Sequence, residues 1–106
     1  MTIYQFNTNG LNSNNMKIAF PITLDEQNFL FKCYWNTYAD CAFLDIEDMN
    51  NNKIISGRAL VNGLKIRNHN IPYVLSFVQI NGETYEPTLD IIEKEFAFQY
   101  EVDEWV

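Results

Sequence analysis

The stretch MKIAFPITL, residues 16–24, alternates strictly between two kinds of side chain. Its even-numbered positions carry Met, Ile, Phe, Ile and Leu, and its odd-numbered positions carry Lys, Ala, Pro and Thr. Successive side chains of a β-strand point to opposite faces, so this pattern predicts a strand with one apolar face toward a core. Pro21 lacks the N–H that a central strand donates, which predicts a position at a sheet edge or a bulge.

Comparable stretches with short polar connections follow along most of the chain. Phe29–Trp35 is rich in aromatic residues, which pack well on a pleated sheet surface. The dipeptides Asn62-Gly63 and Asn81-Gly82 tolerate positive φ and mark tight turns. Short strands at this close spacing predict an all-β, mainly antiparallel fold, a small β-sandwich or barrel of six to seven strands. The other candidate strands are residues 3–6, 41–47, 53–61, 64–67, 73–80 and 96–102.

Two segments depart from the strand pattern. Thr88–Glu95 predicts one short helix near the C-terminal end, because Thr88 can cap a helix and Asp90 favours the positive end of its dipole. Five Asn and one Gly lie within the first fifteen residues, which predicts a loose arm at residues 7–15. The length of 106 residues is typical of one domain, so we expect a single β domain over residues 1–106.

Apolar residues on the inward faces of the candidate strands define the expected core. A chain of this length buries roughly 60–70% of its unfolded surface, which is enough for one modest core. The expected core residues are Ile18, Phe20, Ile22, Phe29, Phe31, Leu44, Ile46, Leu60, Leu75, Phe77, Phe96 and Phe98.

The two cysteines, Cys33 and Cys41, lie on neighbouring candidate strands. A register with Phe31 opposite Leu44 and Cys33 opposite Ala42 pairs apolar residues across the inward face. A slip of one residue would bring the cysteines together, but it would turn the inward side chains to the other face. The apolar register therefore predicts two free thiols, Cys33 inward and Cys41 outward, as is usual for cytoplasmic cysteines.

The net charge of −7 is unevenly distributed. Residues 1–82 contain six acidic and six basic residues, whereas residues 83–106 contain eight acidic residues and Lys94 alone. Phosphate binding requires clustered Lys and Arg, so we expect no specific nucleic acid partner. No apolar run approaches the ~18 residues of a membrane-spanning helix, so we expect no membrane partner. The opening MTIYQFNTNG lacks a signal-peptide profile, which predicts synthesis in the cytoplasm.

The acidic residues of the last quarter are the candidate functional residues. In the simpler interpretation, they form a solvated surface that keeps the protein soluble. In the more specific interpretation, they form a surface that repels DNA or binds a basic partner. These candidates are Glu83, Glu86, Asp90, Glu93, Glu95, Glu101, Asp103 and Glu104.

Motifs that carry catalysis or bind cofactors are missing from the sequence. It contains no Gly-rich phosphate loop, no Gly-x-Ser-x-Gly elbow and no His-Glu-x-x-His. His69 stands between turn residues, and two cysteines eight residues apart with one histidine do not match zinc-ligand spacing. The acidic, Asn-rich residues 45–52 lack the Asp-x-Asp-x-Asp-Gly spacing and the distal Glu of a calcium-binding loop. We expect no enzyme activity, no cofactor and no metal.

Several structural motifs follow one another in a fixed order. One strand ends in Thr23-Leu24-Asp25, and an aromatic strand ends in Asn36. Leu44–Asp48 reads Leu-Asp-Ile-x-Asp, Gly57–Gly63 reads Gly-x-x-Leu-Val-x-Gly, and Glu86–Asp90 reads Glu-Pro-Thr-Leu-Asp. In these motifs the chain resembles the phage baseplate plug family, small structural proteins of long-tailed phages. One departure is Ala42, where relatives often carry Trp.

The resemblance implies a structural virion protein of the tail baseplate that is assembled in the host cytoplasm. It implies that the chain plugs the lumen of the hub and tail tube before DNA ejection. The implied partners are baseplate hub, spike and tail-tube proteins, together with further copies of the chain in a ring. The acidic candidate residues would then line the lumen or face a partner.

A second interpretation is a non-catalytic β-sandwich module that recognises a surface glycan. Such modules use exposed aromatic rings, and Tyr38, Tyr85 and Trp105 fall outside the alternating pattern of the core. Binding on a glycan array would support the module, whereas ring assembly without sugar binding would support the plug.

Overall fold

Eight strands and one short helix make up the part of the chain that the structure describes. This computed structural model describes residues 2–24 and 26–101, without the side chains of residues 2–4, 72 and 73. The elements are β1 (Thr2–Phe6), β2 (Lys17–Leu24), β3 (Gln27–Asn36), β4 (Cys41–Asp48), β5 (Lys53–Ala59), β6 (Leu64–Asn68), β7 (Ile71–Gln79), α1 (Ile92–Glu95) and β8 (Phe96–Glu101).

The strands form two antiparallel, four-stranded sheets that face each other. Sheet 1 has the order β1-β8-β7-β6, and sheet 2 has the order β2-β3-β4-β5. The predicted all-β, mainly antiparallel class and the single short helix near the C-terminal end are confirmed, and the architecture is a sandwich rather than a barrel. It has eight strands rather than six to seven, because every candidate segment forms a strand, including the short β1 and β6 at the edges of sheet 1.

Five phenylalanine rings join the two sheets. Phe31 of sheet 2 and Phe98 of sheet 1 lie edge to face, with ring centroids 5.6 Å apart. Phe77 and Phe6 flank Phe98 at 5.0 and 5.1 Å, and Phe20 lies 5.7 Å from Phe31. Aromatic pairs at these separations attract each other beyond the effect of burial alone, so this cluster holds the sandwich together at its centre.

The predicted core is confirmed except on β2. Ile18, Phe20 and Ile22 are only partly buried and pack against the core from outside. The reason is that β2 is an edge strand, as Pro21 predicted, and its inward side chains stand at the rim. The other nine expected core residues have exposed fractions of 2% or less: Phe29, Phe31, Leu44, Ile46, Leu60, Leu75, Phe77, Phe96 and Phe98.

The predicted register between β3 and β4 is wrong by two residues. Cys33 lies opposite Leu44, and Ala42 lies opposite Trp35. The cause is the connection, because residues 37–40 form a tight turn closed by the pair Asn36 and Cys41. A shift of two residues preserves the face of every side chain. The inward pairs Phe31–Ile46, Cys33–Leu44 and Trp35–Ala42 therefore remain apolar, whereas Phe29 lies opposite Asp48 at the end of β4.

Both cysteines are free thiols, as predicted. Cys33 faces the core and is fully buried, whereas Cys41 is half-buried at the start of β4. Desolvation by burial, together with the nearby charge of Asp45, raises the pKa of Cys33 to about 12. Because only a thiolate is a strong nucleophile, Cys33 should be inert at neutral pH.

We expect one cysteine to react with a thiol reagent at pH 8 in the native protein and two to react in denaturant. Cys41 should account for the native reaction because Cys33 is buried and protonated. Mass spectrometry of the labelled peptides checks the assignment. Native labelling of Cys33 before Cys41 would contradict the burial of β3, and a Cys33–Cys41 disulfide would contradict the register.

The helix is shorter than the predicted Thr88–Glu95. The carbonyl of Thr88 accepts hydrogen bonds from the N–H groups of Ile91 and Ile92 at 3.1 and 2.9 Å, which makes a turn before α1. Among the side chains that the structure describes, none caps α1 at its first residues. The helix ends at Glu95 because Phe96 already pairs with Gln79 in sheet 1.

Residues 7–15, which we expected to be a loose arm, pack against the sandwich. Thr8 and Leu11 are fully buried, and the Leu11 N–H donates to the Thr8 carbonyl at 3.0 Å. The Gly10 N–H donates to Glu93 Oε2 at 2.8 Å. One apolar side chain and one distant carboxylate therefore order a segment whose composition is typical of loose chain.

Candidate interaction surface

The candidate acidic residues lie mainly on the connection between β7 and β8, and one asparagine organises it. Asn62 Nδ2 donates to the carbonyls of Glu83 and Tyr85 at 2.8 and 3.0 Å. Its Oδ1 accepts the Gln79 N–H at 3.1 Å, and its own N–H donates to Glu86 Oε1 at 2.9 Å. Asn62 thus ties residues 79–86 to the turn between β5 and β6.

A buried glutamine continues this polar network. Gln79 Oε1 accepts the N–H groups of Asn81 and Glu83 at 2.6 and 3.0 Å, and Gln79 Nε2 donates to the Tyr85 hydroxyl at 3.0 Å. The Tyr85 hydroxyl donates to Glu95 Oε1. The hydrogen bond to Glu95 is the main cause that raises the pKa of Tyr85 above its usual range. The Tyr85 hydroxyl therefore links Gln79 to Glu95 across the connection.

The candidate acidic residues differ in exposure. Glu101 lies on β8 opposite Val74, away from the connection, and Asp103 and Glu104 lie outside the described residues. Those on the connection itself are exposed, whereas those on α1 and β8 are half-buried. The exposed ones are Glu83, Glu86 and Asp90, and the half-buried ones are Glu93, Glu95 and Glu101.

Glu93 has a role that its sequence position did not indicate. Its carboxylate accepts the Gly10 N–H at 2.8 Å and Asn12 Nδ2 at 3.4 Å. These bonds join α1 to residues 7–15, more than 80 positions away. Glu93 therefore holds the arm to the sandwich, and Glu95 holds Tyr85, so both carboxylates have partners within the chain.

We expect Asn62→Ala to lower the free energy of unfolding by about 1–3 kcal/mol, because three hydrogen bonds of its side chain are lost and their partners are left unsatisfied. Urea unfolding measures the loss, and limited proteolysis should show new cleavage within residues 80–91. Asn50→Ala, at an exposed turn, is the matched control and should change neither result. Equal effects of the two substitutions would mean that Asn62 does not organise the connection.

In the acidic, Asn-rich turn after β4, the Asp48 carboxylate accepts hydrogen bonds from groups of the same turn. Asp48 Oδ1 accepts the N–H groups of Asn50 and Asn52 at 2.8 and 3.0 Å, and Oδ2 accepts Asn52 Nδ2 at 3.1 Å. These bonds, led by that from the Asn52 backbone, lower the pKa of Asp48 below its usual range. Within the described residues, no group of three or more His, Cys, Asp and Glu could hold a metal ion.

A cleft of about 330 Å³ opens beside β1 and β2. Its walls include Phe6, Phe20, Phe96 and Ile80, and Lys94 is the titratable side chain among the described residues that line it. Covalent and acid–base catalysis need a nucleophile beside a base, and an isolated amine does not provide that pair. The cleft therefore adds no catalytic candidate.

Two of the three aromatic residues suggested for glycan binding lie in the part of the chain that the structure describes. Tyr38 is fully exposed on the turn between β3 and β4. Tyr85 lies on the connection after β7, with its hydroxyl bound to Glu95 and its ring edge to face with Phe96 at 6.1 Å. Trp105 lies outside the described residues. Tyr38 and Tyr85 thus stand on different connections, and the glycan module stays a prediction.

Comparison with known proteins identifies the family. A family model described as "Cyanophage baseplate Pam3 plug gp18" matches residues 7–103, which are 97 of the 106 residues. A search of curated proteins found no match. In the described residues, no helix is both long and apolar enough to cross a membrane. The chain belongs to the phage baseplate plug family and is a structural protein of the virion's tail baseplate that associates with other baseplate and tail components.

Proposed function

We propose that this protein closes the lumen of the baseplate hub and tail tube until DNA ejection. The observation that carries this proposal is the match to a baseplate plug model over nearly the whole chain, residues 7–103. The sandwich core supports the proposal, because close-packed interiors are stiff and a plug must resist deformation. The role requires no catalysis, and we propose that the protein is not an enzyme.

We further propose that hub, spike and tail-tube proteins contact the plug, and that several copies form a ring matching the symmetry of the tube. Assembly takes place in the host cytoplasm. The acidic residues 83–104 face the lumen or a partner in this arrangement. Carboxylates around a lumen would repel DNA and prevent it from adhering during passage.

A conditional null mutant of the phage gene tests the proposal. Particles assembled without the protein should release DNA spontaneously, and wild-type protein supplied in trans should restore DNA retention. Quantifying nuclease-sensitive DNA in purified particles, with no receptor present, measures the release. Complete tails that lack the protein but retain DNA as well as wild type would contradict a lumen-closing role.

A further inference from the structure

The basic residues of the chain are as unevenly distributed as the acidic ones. No Asp or Glu occurs between residues 49 and 82, although the chain has 14 acidic residues. The same segment contains four of the seven Lys and Arg residues, so it carries +4, whereas residues 83–106 carry −7. The four basic residues, which we call the basic edge, are Lys53, Arg58, Lys65 and Arg67.

The fold places the basic edge along one side of the sandwich. β5 is the last strand of sheet 2, and β6 is the last strand of sheet 1. Phe6 of β1 contacts Phe20 of β2 at the other side, so β5 and β6 lie next to each other. Asn68 Nδ2 donates to the Ile54 carbonyl across this side at 3.4 Å. All four side chains of the basic edge are exposed.

Protection of the sheet edges accounts for part of this pattern. Charged side chains and bulges on an edge strand oppose unwanted pairing between sheets. β5 carries the charged residues Lys53 and Arg58. Its register with β4 is also irregular, and Gly57 has a φ of 64°. Lysine is the usual charge on edge strands, which accounts for Lys53 and Lys65. Edge protection does not require that Asp and Glu be absent from residues 49–82.

The chain also carries a surface of opposite charge. Asn62 and Gln79 fix the backbone of residues 79–86 beside the turn between β5 and β6, so the part of the connection that carries Glu83 and Glu86 is ordered before any partner arrives, whereas Asp90 lies further along it. A preorganised charged surface loses little conformational entropy on binding. We call the three exposed carboxylates Glu83, Glu86 and Asp90 the acidic connection.

We propose that the basic edge of one copy binds the acidic connection of the next copy, head to tail. This inference deepens the proposed ring and rests on it. A contact between two different surfaces of identical subunits repeats in one direction and closes into a ring when the rotation allows. The two surfaces carry opposite charge in every copy, so one contact serves all positions of the ring.

The electrostatics of this contact are local. Screening limits the reach of a charge to roughly 10 Å at 0.1 M salt, so the remaining negative charge of each copy contributes little at that ionic strength. Pairs of opposite charge that meet at an interface are themselves weakened as salt rises further. Association through these surfaces should therefore decrease between about 0.1 and 0.5 M NaCl.

Charge reversal with rescue tests the proposal in the full chain. The edge variant carries Arg58→Glu and Lys65→Glu, and the connection variant carries Glu83→Lys and Asp90→Lys; these substitutions leave Asn62 in place. Each variant alone should associate about tenfold more weakly than wild type, because attraction becomes repulsion. A chain with all four substitutions, or a mixture of the two variants, should recover association. Sedimentation velocity measures it, after circular dichroism has shown that each variant folds.

Lys17→Glu, which changes an exposed lysine outside the basic edge, is the matched control for Lys65→Glu. Lys65→Glu should weaken association and Lys17→Glu should leave it unchanged. Equal effects of the two, or no recovery with all four substitutions, would overturn the proposal. So would association that strengthens with salt, because it would indicate contacts between like charges. Binding of a DNA duplex that Lys65→Glu alone abolishes, without a change in self-association, would assign the edge to nucleic acid instead.

The test of the head-to-tail contact and the test of the lumen-closing role can fail independently. Loss of DNA retention in particles without the protein tests the plug and does not depend on which surfaces meet. If charge reversal leaves self-association unchanged while particles still need the protein to retain DNA, the head-to-tail contact is contradicted and the lumen-closing role is not.

Discussion

Phe98→Ala should lower the free energy of unfolding by about 3–5 kcal/mol, the cost of removing a buried aromatic ring and leaving a cavity. Phe98 is fully buried, and its ring lies within 5.6 Å, between centroids, of Phe6, Phe31 and Phe77. These three rings come from both sheets, so neither sheet alone can close the cavity. Urea unfolding followed by tryptophan fluorescence measures the change.

Phe43→Ala is the matched control for this substitution. Phe43 is half-buried on the outer face of β4 and stacks on Tyr34 at 5.8 Å. Its removal leaves no enclosed cavity, so the loss should be clearly smaller. Equal losses at the two positions would mean that the ring cluster around Phe98 does not hold the sheets together.

Leu11→Ala should cost about 2–5 kcal/mol, the range for a buried leucine. Leu11 is fully buried, although it lies in the Asn-rich segment that composition predicted to be loose. A loss of this size would show that residues 7–15 contribute to the core. Urea unfolding measures it, and limited proteolysis should show earlier cleavage in this segment.

Leu30→Ala, at a half-buried position on the outer face of β3, is the control for Leu11→Ala. It should cost less and leave the proteolysis of residues 7–15 unchanged. An unfolding midpoint that Leu11→Ala does not shift would contradict the packing of the arm, and the composition-based expectation would then hold.

Local patterns predicted the strands because alternation along one strand reflects burial on one face. They did not predict which residues face each other, since the turn at residues 37–40 decides the register of β3 and β4. Leu11 was missed for a related reason. A single apolar residue among polar neighbours has no period, and its burial depends on elements far away in the chain.

The sequence likewise predicted only part of the candidate surface. Counting charges located the acidic segment, but the count could not show which of its carboxylates accept hydrogen bonds within the chain. The Glu93 carboxylate accepts the Gly10 N–H across 83 positions, and the Glu86 carboxylate accepts the Asn62 N–H across 24. The count of basic residues was also visible in the sequence, but their alignment along one side was not, because β5 and β6 belong to different sheets.

Cryo-electron microscopy of the intact virion tests the lumen-closing role most directly. A reconstruction of the baseplate before ejection should show density for this sandwich on the tube axis, blocking the passage. Particles that have ejected their DNA should show the same passage open. Density for this protein only at the periphery of the baseplate, with an open lumen before ejection, would contradict the account.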